Sequence, residues 1–274
     1  MGIYRKSFLD YFILIIFIIL FIFPIFWMIL TSFKTQSLAY SAIPVWIFEP
    51  SFDNYSSVLF KSGFIYKLLN SLIVGAGSSF AVLVVGCSIA YPFIRFKIKG
   101  SNKILSWILS LRIIPPIVII LPIYIIFRNF NLLDKHIGLI IMHVFMNLPL
   151  VVWLMIGFFR DVPEEVEEAA LVDGCSRFGV FTRVVLPLVA SGLVAAGLLS
   201  FIFSWNEFLF ASILSGSTRL ATAPVGLFEF ATPVSILWGR ICAAGTVMII
   251  PIAVIAILIQ KYMVRGLTMG AVKG

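Results

Sequence analysis

Residues 160–187 read RDVPEEVEEAALVDGCSRFGVFTRVVLP, a stretch charged in the opposite sense to the rest of the chain. Three arginines stand against Asp161, Glu164, Glu165, Glu167, Glu168 and Asp173, so the stretch is net negative in a chain of net charge +8. Asp161 is placed to cap a helix with Glu164 at its third position. Pro163 suits the first turn, and the early carboxylates favour the positive end of the helix dipole. Gly174 supplies a stop, Ser176 a second cap and Pro187 an end, so the spacing predicts two brief helices joined by a glycine turn. Ala169 and Ala170 leave one side of the first helix nearly bare of bulk, which lets another surface approach closely beside the Glu168 carboxylate.

On both sides of this island the chain is apolar. Its 274 residues are 61% hydrophobic and only 12% charged, with mean hydropathy +1.12, far from the balance of a soluble globular domain. About 20 apolar residues cross a bilayer as helix. Runs of that kind lie at 11–31, 68–94, 104–127, 136–160, 188–214 and 241–260. They are continuous rather than alternating, and a helix satisfies its own backbone hydrogen bonds, so the expected fold class is an all-α integral membrane protein of six transmembrane helices. The first run is longer than the about 7–15 residues of a signal-peptide core and reads as a retained helix.

The basic residues set orientation. Twelve lie on one side (Arg5, Lys6, Arg95, Lys97, Lys99, Lys103, Arg160, Arg177, Arg183, Lys261, Arg265 and Lys273) and seven on the other, which predicts that both termini are cytoplasmic. They sit at helix ends rather than in one dense stripe, so no nucleic-acid partner is expected and the lipid bilayer is. Cys87, Cys175 and Cys242 have no metal-like spacing. The connection from Phe33 to about Tyr66, with Pro44, Trp46, Pro50 and Asn54, reads as an ordered, lidlike segment. The expected organisation is a first helix with its outer loop (1–65), a membrane core (66–262) and a cytoplasmic tail (263–274). No second half resembles the first, so six helices make half a pathway.

The sequence Glu168-Ala169-Ala170, then Gly174, Val184 and Leu186-Pro187 resembles the cytoplasmic EAA loop of ABC-importer permeases, with Val184 at the usual isoleucine position. An acidic loop helix taken generically is a solvated surface, and this spacing is what weighs against that reading. From Thr31 to Gly274 the chain is similar to the second permease subunit of maltose, trehalose and related oligosaccharide importers. Ser32-Phe33-Lys34, Asn70-Ser71, Ala90-Tyr91, Leu121-Pro122, Ser204-Trp205-Asn206-Glu207 and the ending Arg265-Gly266-Leu267-Thr268 with Gly270 to Gly274 carry the likeness. The resemblance implies the type I ABC importer permease fold in a bacterial-type inner membrane. It implies as partners a homologous second permease, two ATP-binding subunits, an extracytoplasmic solute-binding protein and a sugar substrate. By the same resemblance Glu168, Ala169, Ala170, Asp173, Gly174, Leu186 and Pro187 couple the chain to the ATPase. A permease for glycerol phosphate or a polyol is the neighbouring alternative, and an ATP-independent carrier or channel subunit the alternative of another class.

The chain contains no Gly-Lys pair and hence no phosphate-cradling Walker loop, nor an HExxH or GxSxG motif. It is expected to be non-catalytic and to hold no cofactor, with ATP and magnesium on the partner ATPase. Candidate pathway or gate residues are the polar ones inside apolar runs. Arg112 lies nine residues past Lys103, about 14 Å into the third helix, where an unpaired charge costs about 2.5–3.5 kcal/mol. His143 and Asn147 share a helix face, and Asn206 and Glu207 fall near the outer end of the fifth run, too far along it for Glu207 to pair with Arg112. Pro115 and Pro116 are expected to kink the third helix.

Overall fold

The computed structural model describes residues 8–271 apart from Lys97, Ser217, Thr218, Pro233 and Val234, with side chains described for 11–260 except those five and Asn102. Arg5, Lys6, Lys97, Lys273 and the chain ending Val272-Lys273-Gly274 lie outside the described residues, as do the side chains of Lys261 and Arg265.

The described residues are helical and contain no strand. In chain order the first half holds α1 (Phe8–Ser32), α2 (Gln36–Ala39), α3 (Asp53–Ser56) running into a π turn, α4 (Phe64–Arg95), α5 (Ser101–Ser110), α6 (Pro116–Asn129) and α7 (His136–Arg160). There follow α8 (Glu164–Val172), α9 (Arg177–Val180), α10 (Leu186–Leu188), α11 (Ala190–Trp205), α12 (Leu209–Leu214), α13 (Ala223–Phe228) and α14 (Trp238–Ala271). Four helices are long and apolar enough to cross a membrane, at Tyr11–Ser32, Phe64–Arg95, His136–Arg160 and Trp238–Gln260. Two bent pairs bring the number to six if each pair is one span.

The bent pairs correct the sequence expectation. The third apolar run is not one kinked helix: Lys103–Ile113 and Pro116–Asn129 meet at 95°. A residue before proline is pushed out of the helical region, and here this happens twice in succession, at Ile114 (ψ 121°) before Pro115 and at Pro115 (ψ 128°) before Pro116, which then opens α6. The fifth run, expected as one helix over 188–214, ends at Trp205 and restarts at Leu209. On its other side α10 and α11 bend by 78° about Val189. Helical turns continue through Pro187 to Leu188, so Pro187 does not end them.

The chain divides into two compact units. The first comprises 1–65 and 226–250. Within it the segment after α1 is pinned by Asn54, whose amide donates to the carbonyls of Ser32 (2.9 Å) and Lys34 (2.7 Å). Trp46 packs edge-on against Trp27, and the Lys34 ammonium lies 4.2 Å from the Trp27 ring centroid. The second unit comprises 66–225 and 251–274. There α4, α7 and α11 pack around Val82, Ala90, Val151, Met155, Phe159 and Ala196. Lipid gives apolar helices little reason to associate, so small residues that admit close packing matter more than in water. Gly86 is such a contact, since a Cβ there would lie 2.8 Å from the Val151 Cγ1 atom.

Candidate functional site

The residues predicted to matter lie in the second unit, at the 160–187 loop and in the polar centre of the bundle. In the loop, α8 starts at Glu164 behind an extended Pro163 that makes no capping bond. Asp161 is not its cap, as the sequence suggested: it is the C-cap of α7, which ends at Arg160, and Pro163 stands in the N-cap position of α8. Gly174 ends α8 at φ +87°, a left-handed conformation that glycine adopts without steric cost. The carbonyls of Ala169, Ala170 and Leu171 accept from the N–H groups of Asp173, Cys175 and Gly174 at 3.0–3.1 Å. Ser176 caps α9 by accepting from the Gly179 N–H at 3.1 Å.

This geometry sorts neighbouring acids. Glu168 and Ala169 point to solvent, and beside them Val172 and Phe178 are 88% and 75% exposed. Glu167 turns inward to 7% exposure. Its Oε1 accepts from Arg95 Nε at 2.7 Å and its Oε2 from the Tyr91 hydroxyl at 2.6 Å. Arg95 also donates to the carbonyls of Phe159 (3.2 Å) and Val162 (2.7 Å). Leu186 packs against the α4–α7–α11 core, while Pro187 is exposed.

In the bundle, Asn147 donates to the Ser204 hydroxyl at 3.1 Å, and Ser204 bonds Ser78 at 2.9 Å. Glu207 accepts from the N–H groups of Phe210 (2.8 Å) and Ala211 (2.9 Å), which makes it the cap of α12. Its other neighbour is His143, 1% exposed, whose Nε2 lies 3.4 Å from Glu207 Oε2. That distance suits an ion pair, but the atoms are not aligned for a hydrogen bond, and neither His143 ring nitrogen makes one. Asn206 is exposed and donates to the Ile202 carbonyl. Arg112 is not in the middle of a helix as expected. It sits exposed on the short 3₁₀ turn at the α5–α6 bend, its guanidinium 5.0 Å over the Phe203 ring. It makes no ion pair with Glu207 among the described residues, in keeping with the spacing argument. No group of His, Cys, Asp and Glu among the described residues is arranged to hold a metal.

The family described as "binding-protein-dependent transport system inner membrane component" matches residues 82–269, which include α8, Gly174, His143, Asn147, Ser204 and Glu207. The chain belongs to that family. The permease is 38% identical over 253 residues to a probable ABC transporter permease of Sinorhizobium fredii, covering 92% of this chain and 91% of that one. It is 34% identical over 267 residues to an inner membrane ABC transporter permease of Escherichia coli, covering 95% and 94%. It is 34% identical over 259 residues to the trehalose transport system permease of Mycobacterium tuberculosis, covering 92% of each. A bacterial ABC transporter involved in the import of the acidic polysaccharide alginate shares its fold, with TM-score 0.79 at 20% identity over 96% of this chain and 99% of that one. The permease is thus an inner-membrane protein of the ABC importer permease fold.

In the permease Glu207 lies beside His143 and Asn147 bonds Ser204, whereas Arg112 and Asn206 make neither contact. Sequence reading missed Glu167, Arg95 and Tyr91, because nothing in a run of four glutamates within five positions says which one faces inward. It also passed over Val172 and Phe178, whose signal was available: two bulky apolar residues flanking the glycine turn of an otherwise acidic loop.

Proposed function

We propose that the permease forms half of the translocation pathway of an ATP-driven sugar importer, for a di- or oligosaccharide delivered by an extracytoplasmic binding protein. It crosses the membrane six times with both termini cytoplasmic, each bent pair counting as one span. A homologous second permease supplies the other half, and two ATP-binding subunits, carrying ATP and magnesium, dock from the cytoplasm. The α8–Gly174 turn is the docking element: Glu168 and Ala169 meet the ATPase, Asp173 and Gly174 set the turn, and Leu186 and Pro187 connect it to α11. Arg112, His143, Asn147, Asn206 and Glu207 belong to the pathway or its gate.

The observation that carries this reading is the exposed surface of Glu168, Ala169, Val172 and Phe178 on a turn fixed by a left-handed glycine. A merely solvated helix has no reason to present a nearly fully exposed valine and a phenylalanine beside its glycine turn. The relative named for trehalose transport supports the sugar cargo. The test is to tag the permease, solubilise the membrane gently and identify what copurifies stoichiometrically. A second permease and a Walker-motif ATPase are expected, with the ATPase lost on Glu168→Arg. A permease recovered alone, with uptake intact and independent of ATP, would overturn the reading in favour of a carrier.

Exposed Arg112 at the α5–α6 bend favours one second reading, an anionic cargo such as glycerol phosphate. Under it, uptake of the phosphorylated substrate falls in Arg112→Gln while uptake of neutral sugar does not.

A further inference from the structure

Docking alone does not move a pathway, because a surface loop can follow its partner without displacing the helices behind it. The inner side of α8 bears on this. Arg95, at the end of α4, and Glu167, on α8, have side chains only 10% and 9% exposed, with 2.6 Å between Arg95 Nη2 and Glu167 Oε1. The same guanidinium donates to the Phe159 carbonyl, in the last turn of α7, and to the Val162 carbonyl, in the turn that follows it. Tyr91, one turn before Arg95, donates to the other Glu167 oxygen and packs its ring edge-on against Phe159 and tilted against Phe181. One carboxylate and one guanidinium therefore join α4, α7 and α8 and, through the Tyr91 ring, abut the π turn Phe181–Val185 that follows α9. Glu164 lies 3.6 Å from Arg95, but its side chain is 66% exposed and adds little to the junction.

We infer that the Arg95–Glu167–Tyr91 junction is the rigid link through which displacement of α8 is delivered to α4 and α7, Glu167 acting as a positioning residue on the inner side of the turn whose outer side Glu168 presents. The inference rests on the docking role proposed for α8. A buried pair of this kind is a poor source of net stability but costly to break on one side only, because the remaining charge stays buried. The junction therefore holds the three elements in one relative placement or releases them together.

The experiment uses the whole complex in proteoliposomes containing binding protein and sugar, with Glu167→Gln, Arg95→Lys and the exchange Arg95→Glu with Glu167→Arg. Glu167→Gln is expected to copurify with the ATPase in unchanged stoichiometry while sugar transported per ATP falls roughly tenfold, within the reach of substitutions along a coupling network. Arg95→Lys keeps the charge but loses the fork that reaches carbonyls and carboxylate together, and is expected to lose part of the coupling. The exchanged pair recovers part of what Glu167→Gln loses. Normal transport per ATP in Glu167→Gln overturns the inference, and so does loss of the ATPase from that variant, which would make Glu167 a docking residue. If Glu168→Arg also leaves the ATPase bound, the docking reading itself has failed. If Glu168→Arg releases it while Glu167→Gln transports normally, only the link has failed.

Discussion

Glu167 and Glu168 are adjacent in sequence and opposite in circumstance, one bonded to Arg95 and Tyr91 in the interior, the other exposed at the turn. The approximately 100° between successive helical residues suffices to separate them. Gly174 is required for conformation rather than space, since nothing lies within 4 Å of a Cβ placed there, but φ is +87°. A side chain in the left-handed region costs about 1–2 kcal/mol, enough to displace a surface turn without unfolding a membrane bundle. Gly174→Leu should therefore abolish uptake while its amount in the membrane stays unchanged, as immunoblotting beside an uptake assay would show. Normal uptake would refute the role given to the turn. Lys34, 2% exposed between Trp27 and Phe48, has its ammonium pushed below the usual 10.5 by burial, with Cys242 opposing. The unfolded chain then binds the proton more tightly than the folded one, so this residue's contribution to stability rises with pH between the lowered value and 10.5. In detergent, any Tm advantage of Lys34→Met should shrink as pH approaches 10.5. A constant difference would show that Lys34 titrates alike in both states.

Among elements, the contest is between polar bonds and close packing. Asn147 links α7 to α11 through Ser204, and such bonds in membranes are worth about 0.6 kcal/mol on average, because the separated helices also find partners. Gly86 faces the stiff, fully buried Val151 at a distance that no Cβ tolerates. Overpacking a core costs about 1–3 kcal/mol. Gly86→Val should accordingly lower the Tm of the detergent-solubilised permease more than Asn147→Leu does, and the reverse order would mean that the polar centre holds the bundle together. The same scale shows where sequence reading weakened. Pro115 and Pro116 announced a kink, but two successive residues forced out of helical geometry make a 95° break, and Arg112, counted as the middle of a helix, became the exposed residue of that corner.

At the scale of the whole molecule, the outward face of α1 is the dominant fact: an apolar window of 18 residues with none of them buried. Such a surface belongs against lipid or against another apolar helix, never against water. With six spans, a reporter active only outside the cytoplasm should be silent when fused within 164–172 and active when fused within 36–56. The opposite pattern would invert the proposed orientation, and activity at both would mean that a bent pair is a re-entrant loop rather than a span.

The sequence alone determined the apolar lengths, the acidic island, its glycine stop at Gly174 and its cap at Ser176. These depend on hydropathy, charge and local backbone preference, which neighbouring residues along the chain settle among themselves. Only the tertiary structure decided that Glu167 faces Arg95 across 72 positions, that Glu207 caps α12 beside His143, and that Asp161 closes α7 rather than opening α8. The Glu167–Arg95 pair and the approach of Glu207 to His143 turn on which helix lies against which. That choice is fixed by packing between distant segments, and no local pattern along the chain encodes it.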